Sequence, residues 1–252
     1  MEQSTSTTVL RNGAPQRGTA ASALVLALGL IVASFIGSYT FYKVHTLDNT
    51  LSVTGSATQD VTADSGKLTV SVTRSSLESG VPDMQARVSA DAQTVVKFFG
   101  DGGIAPEKIL VSPVSVDQDY SSDANAPRRY TVHQQITAQA DDPKLIDTLS
   151  KSISQLAAKG VLVSVNQPEY YISTLPQIRI SLIGAAVKDA KARASEIASS
   201  TGRKVGALQS AASGVVQVMA PDSVDVADYG SYDTSTIEKK VMVTARAVFL
   251  LK

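Results

Sequence analysis

An α+β domain is predicted, with a mostly antiparallel sheet packed by about three helices and one transmembrane helix ahead of it. Three observations lead there. Residues 18–42 carry no charge at all. Beyond residue 49, runs alternating apolar and polar residues are interleaved with runs of three- and four-residue apolar spacing, the periods of strands and helices. The chain also closes on an alternating run, Val241 to Phe249, which ties its end into a sheet. With 252 residues, 43% hydrophobic and 18% charged, there is material for one good-sized domain, neither disordered nor polytopic. Lys plus Arg equals Asp plus Glu, 23 against 23, so no bulk positive field points to nucleic acid. There is no Cys, no Trp and only two His. A disulfide scaffold, a thiolate-held metal and a thiol nucleophile are thereby excluded, and a multi-His metal site has almost nothing to draw on.

Residues 18–42 are long enough to cross a hydrocarbon core of roughly 30 Å at about 1.5 Å per residue, and Tyr39 and Tyr42 stand at one end, where aromatic rings prefer the interface. A cleaved signal peptide is the competing reading. Its apolar core is usually about 7–15 residues and ends in a small-x-small site, whereas Ala21-Ser22-Ala23 opens this run. An uncleaved anchor is preferred. Arg11 and Arg17 before the run, against Lys43 after it, make residues 1–17 a cytoplasmic tail and send the C-terminal domain out of the cytoplasm. Gly29, Ala33 and Gly37 form a small-xxx-small stripe that could pack two such helices, although Gly and Ala are also simply common in membrane helices.

The domain spans residues 49–252. Leu51 to Gln59 and Leu68 to Val72 alternate around the turn at Asp64-Ser65-Gly66, which predicts an antiparallel hairpin. Pro82 then opens a helix whose stripe is Val81, Met84, Val88, Ala92, Val95 and Phe99, and Gly100 to Gly103 stop it. Lys108–Val116 and Arg129–Ala140 read as strands joined by the polar connector 117–127. Asp142-Pro143 starts a second helix with Leu145 or Ile146, Leu149, Ile153 and Leu156 inward, ended by Gly160. Strands at Val161–Val165 and Tyr170–Ser173 precede a long helix from Pro176 to Thr201. Its apolar stripe is Ile180, Ile183, Val187, Ala190, Ala194, Ile197 and Thr201, read as lying on a sheet in preference to a coiled-coil seam. Val216–Met219 and the last strand flank an acidic segment, 221–237, expected to be exposed and mobile.

The order of these elements, the stretch Ala185 to Ala194 running on to Thr201-Gly202-Arg203-Lys204-Val205-Gly206, the segment Gly103-Ile104-Ala105-Pro106-Glu107-Lys108-Ile109 and the opening Val53-Thr54-Gly55-Ser56-Ala57 together resemble the SIMPL-domain family over nearly all of 49–252. The resemblance implies an α+β domain of bacterial envelope proteins, exported to the periplasm or surface. Some members are antigenic, some are linked to stress tolerance, and some assemble into large rings. It therefore implies a homo-oligomer on the inner membrane, with a protein partner unknown. The family has no established activity, so it supplies no catalytic residue. The acidic segment and the uncleaved anchor depart from many members.

The residues themselves assign no catalytic, cofactor-binding or metal-ligating position. No G-x-S-x-G elbow, phosphate loop or dinucleotide fingerprint is present. His133 lies in an alternating strand and reads as a strand-face residue. Asp117 and Asp119 are a candidate carboxylate pair for a hydrolase, since glycosidases need only two, although loop acids are usually solvated. Asp222, Asp225, Asp228, Asp233 and Glu238 lack EF-hand spacing and read as solvated acids, with a metal or small-ligand site as the rival. Lys188, Lys191, Arg203 and Lys204 could meet an anionic lipid or an acidic partner, but a solvated helix face is preferred. The function expected is a membrane-anchored, non-enzymatic interaction or assembly module of the envelope, with a link to envelope stress.

Overall fold

In the computed structural model, residues 17–45, 49–120, 123, 126–224 and 227–252 are described. Helix α1 (Arg17–His45) has an apolar span at Ser22–Lys43, none of it buried. Arg11 and most of the tail expected at 1–17 lie outside the described residues.

Two helix-on-sheet layers make up the rest. The first sheet has the order β1-β10-β8-β9, formed by β1 (Thr50–Thr62), β8 (Val205–Met219), β9 (Ser231–Tyr232) and β10 (Glu238–Leu251). Helix α5 (Leu175–Ser200) covers it. The second sheet is built on β2 (Ser65–Leu77) and β5 (Arg129–Ala140). Strands β3 (Ile109–Val111) and β4 (Ser115–Asp119) share the outer edge of β5, while β6 (Val163–Val165) and β7 (Glu169–Tyr171) share that of β2. Helices α2 (Val81–Asp101), α3 (Pro143–Ser152) and α4 (Gln155–Ala158) pack with it. Pairing is antiparallel except between β8 and β9. The fold is α+β, as the sequence predicts, with the short α4 added.

The expected hairpin between the first two strands does not form. β1 pairs the C-terminal strand through the full register Thr50↔Leu250 to Thr62↔Glu238, and β2 pairs β5 in the other sheet. The connecting residues bond to distant segments: the Ala63 amide donates to the Ile237 carbonyl and the Asp64 amide to that of Tyr171. The two strands also serve different cores. Leu68, Val70 and Val72 are large and fill the core under α2 and α3. The inward positions of β1 include the small Gly55 and Ala57, which suit the close approach of α5.

The stripe on α5 is rotated from the expected one. Leu182, Ala186, Ala190, Ala194 and Ala198 are buried, a strict four-residue row, while Ile180 and Ile197 are exposed. A Cβ on Gly55 would overlap the Ala186 carbonyl oxygen and the Ala190 amide, so only small side chains fit on this face of the helix. Helix α2 follows the prediction, burying Val88, Ala92, Val95 and Phe99. Gly103, with φ 96°, takes the left-handed turn that ends it. The expected strand Lys108–Val116 is broken into β3 and β4 around Pro113, which has no amide to pair.

Strand β8 runs from Val205, eleven residues before the expected start at Val216. Its first part is rich in Ala, Ser and Gly, which are weak strand formers, and pairing with β10 overrides that preference. The acidic segment is not uniformly free either. Asp222 and Tyr229 are exposed, Asp225 lies outside the described residues, and 231–237 is built into the domain. There the Tyr170 amide donates to the Thr234 carbonyl, and the Ile172 amide donates to the Tyr232 hydroxyl.

Candidate functional site

A polar concavity lies at one end of the second sheet. Register pairs Lys67 with Gln139 on one side and with Glu169 on the other, and Ser65 with Tyr171. With Lys108 from the turn before β3 and Asp141 after β5, Ser65, Lys67, Gln139 and Tyr171 line an open cleft of about 220 Å³, and Glu169 is bonded to two of them. Lys67 Nζ lies 2.6 Å from Glu169 Oε2, and the Tyr171 hydroxyl donates to the same oxygen at 2.5 Å. Lys108 donates to Asp141 across the mouth.

Electrostatics fix the protonation states. The bond from Lys67, then that from Tyr171, holds the Glu169 carboxyl below its ordinary range. The bond to Glu169 raises both the Lys67 ammonium and the Tyr171 hydroxyl. At neutral pH the cleft therefore holds an ammonium, a carboxylate and a neutral phenol, each displaced away from neutrality. A general acid or base works best with a pKa near the operating pH, so this constellation suits polar binding more than proton transfer.

A second ionic cluster sits under the end of the acidic segment. Burial alone would raise the Asp233 carboxyl, but the hydroxyls of Ser235 and Thr236, the Ser235 amide and Lys239 outweigh it and hold Asp233 well below the usual range. The Lys239 side chain is fully buried, 3.5 Å from Asp233 Oδ2, and donates to the Asp233 carbonyl. Burial lowers this ammonium from its ordinary value.

The residues singled out from sequence are scattered. His133 Nδ1 lies 3.2 Å from Asp117 Oδ2 across the β4–β5 pair, an ion pair when the imidazole is protonated, and Asp119 accepts from Thr131. All of β4 is exposed. Lys188 and Lys191 are exposed on α5, while Arg203 donates to Asn49 and Lys204 exchanges backbone hydrogen bonds with Lys252. Among the described residues, no group of three His, Asp or Glu side chains could hold a metal ion. Neither Lys67–Glu169–Tyr171 nor Asp233–Lys239 was singled out. The first joins strands far apart in the chain, and Glu169-Tyr170-Tyr171 has no spacing that marks it.

The whole two-layer domain, from β1 to β10, is matched by the family model described as SIMPL: Protein of unknown function (DUF541), over residues 51–249. The chain belongs to the SIMPL family. The matched range begins and ends on the paired strands β1 and β10 and leaves α1 outside. No curated protein matches the chain. The cleft around Lys67 and the buried Lys239 therefore both lie within the SIMPL domain.

Proposed function

We propose that this SIMPL protein is a non-enzymatic interaction and assembly module, held at the inner membrane of a bacterium by α1 with its domain outside the cytoplasm. The observation that carries the tether is α1 itself: a 22-residue apolar span with no part buried, placed just ahead of β1. Such a surface in water is far beyond what a soluble domain normally leaves uncovered, and a bilayer supplies the missing cover. The Lys67 cleft supports the non-enzymatic reading, because Lys67, Glu169 and Tyr171 are each shifted away from neutrality.

The full chain with a C-terminal tag, expressed in a bacterium, tests both parts. Expected are retention in the membrane pellet after alkaline carbonate, and loss of the tagged domain when protease is added to spheroplasts. An N-terminus beginning near Tyr39 would replace the anchor with a cleaved signal. Turnover of ester, phosphate or glycoside substrates that disappears in Glu169→Gln or in Asp117→Asn would replace the module with an enzyme.

A further inference from the structure

We infer that the domain stands on the membrane with one end of its first sheet, where Arg203, Lys204 and Lys252 meet anionic phosphate headgroups of the bilayer that α1 crosses. The inference rests on the tethered reading and names the surface that meets the lipid.

Chain length selects that end. Helix α1 stops at His45, and the described domain opens at Asn49. Four Cα steps span at most about 14 Å, so Asn49 stays within that distance of the helix end. Asn49 is itself clamped to the domain. Its carbonyl accepts from the Leu251 amide at 2.7 Å, and its side-chain oxygen accepts from the Arg203 guanidinium at 2.9 Å. Beside it the backbones of Lys204 and Lys252 exchange two hydrogen bonds. Thr50 starts β1 opposite Leu250, and Leu251 pairs with Val205. Helix α5 runs toward the same end. Asp189 holds the Ser56 amide, Ala194 packs with Val53 and Phe249, and the Arg203 amide donates to the Ala198 carbonyl. Segments far apart in the chain therefore meet where the tether leaves.

Charge names the occupant. Arg203, Lys204 and Lys252 are all exposed. No acidic side chain occurs in 49–59, 197–208 or 249–252. The nearest in sequence are Asp48, in the link, and Glu196, one turn before α5 ends. Lys43, where the apolar span ends, adds a cation at headgroup level. Anionic lipid attracts basic side chains within about a Debye length of the surface, roughly 8–10 Å. The tether keeps lipid phosphate within reach of these side chains at all times, which no soluble acidic partner matches. Lys188 and Lys191 flank Asp189, about 20 Å farther along β1, and stay in solvent.

The absence of Cys makes the test clean. A fluorophore is attached at Ser200→Cys, beside the cations, or at Gln59→Cys, about 30 Å up β1. The full chain is reconstituted in vesicles of phosphatidylcholine, alone or mixed with phosphatidylglycerol, that carry a nitroxide-headgroup lipid as quencher. Expected is stronger quenching at Ser200 with phosphatidylglycerol than without, lost at high salt, and none at Gln59. Lys204→Glu with Lys252→Glu leaves their mutual bonds in place, since the backbone makes them. That variant should lose the phosphatidylglycerol effect, with melting unchanged and the protein still floating with the vesicles. Equal quenching at Ser200 in both lipids, stronger quenching at Gln59, or an effect that survives the double variant would overturn the headgroup contact and leave the tether standing. Wild-type protein that does not float with either vesicle would overturn both.

Discussion

Gly55 of β1 and Ala190 of α5 meet backbone to backbone: a Cβ at Gly55 would overlap the Ala190 amide nitrogen and its Cα. The Ser56 amide next to it donates to the Asp189 carboxylate at 2.9 Å. Helix and sheet are therefore joined by a contact too close for side chains, with a polar bond beside it to fix the axial position. The alanine row on α5 follows from this contact.

Gly55→Val is expected to push α5 off the sheet. Overpacking a close contact costs about 1–3 kcal/mol, and here rigid backbone would have to yield. A melting temperature within a degree of wild type would show that the helix lies farther from β1 than described.

The rotation of the α5 stripe separates two neighbouring positions. Ala194→Asp puts a carboxylate where nothing pairs it and should cost several kcal/mol. Ile197→Asp, on a side chain 47% exposed, should change stability by no more than about 0.5 kcal/mol. Urea denaturation of both variants reads the contrast, and a larger loss at Ile197 would restore the seven-residue stripe suggested by the sequence.

What the sequence made legible was local. The period of α2, the Asp142 cap that accepts from the Lys144 amide, and the alternation along Arg129–Ala140 all depend on neighbours within a turn or a strand. The mistakes come from long-range pairing. The short link between β1 and β2 suggested a hairpin, yet thirteen register pairs with the C-terminal strand outweigh it. Isoleucines marked the wrong face of α5, because the face touching Gly55 selects for small size over hydrophobicity. The Lys67–Glu169 pair was invisible, since only the β2–β7 register brings those residues together.

Acid should destabilise the domain through three carboxylates. Glu169 is lowered by Lys67 and Tyr171; for Asp64, burial works upward but the bonds from Ser173 outweigh it, and Asp233 is lowered likewise. A carboxyl with a lowered folded value binds fewer protons folded than unfolded, so stability rises with pH through that interval. The contribution is complete above the ordinary values of 3.8 and 4.5 and is lost as pH falls below them. The alkaline side divides. Raised Lys67 stabilises fully below 10.5 and ceases to do so as pH climbs through its folded value. Lowered Lys239 makes stability increase as pH approaches 10.5. Melting temperatures from pH 2 to 7 should fall on the acid side, less steeply in Glu169→Gln.

Asp233→Asn at neutral pH should cost about 3 kcal/mol, because removing one partner strands the buried Lys239 ammonium. Lys239→Met with Asp233→Asn should recover part of that loss, since both charges are then gone. Equal stability of the single and double variants would mean the two residues do not interact.

The acidic segment should divide into a dispensable part and a structural one. Val224 is 88% exposed, and replacing residues 222–224 by a Gly-Ser linker of the same length removes no buried side chain. Closure entropy hardly changes at constant length, so that variant should melt close to wild type. Downstream, the buried Gln217 amide donates to the Ala227 carbonyl, and its oxygen accepts from Ser231. Tyr232→Phe removes the acceptor for the Ile172 amide, and an unsatisfied amide costs about 1–3 kcal/mol. The expected result is a marked fall in melting temperature for Tyr232→Phe and almost none for the linker. The reverse order would make residues 222–224 the structural part and leave 231–237 as the free loop.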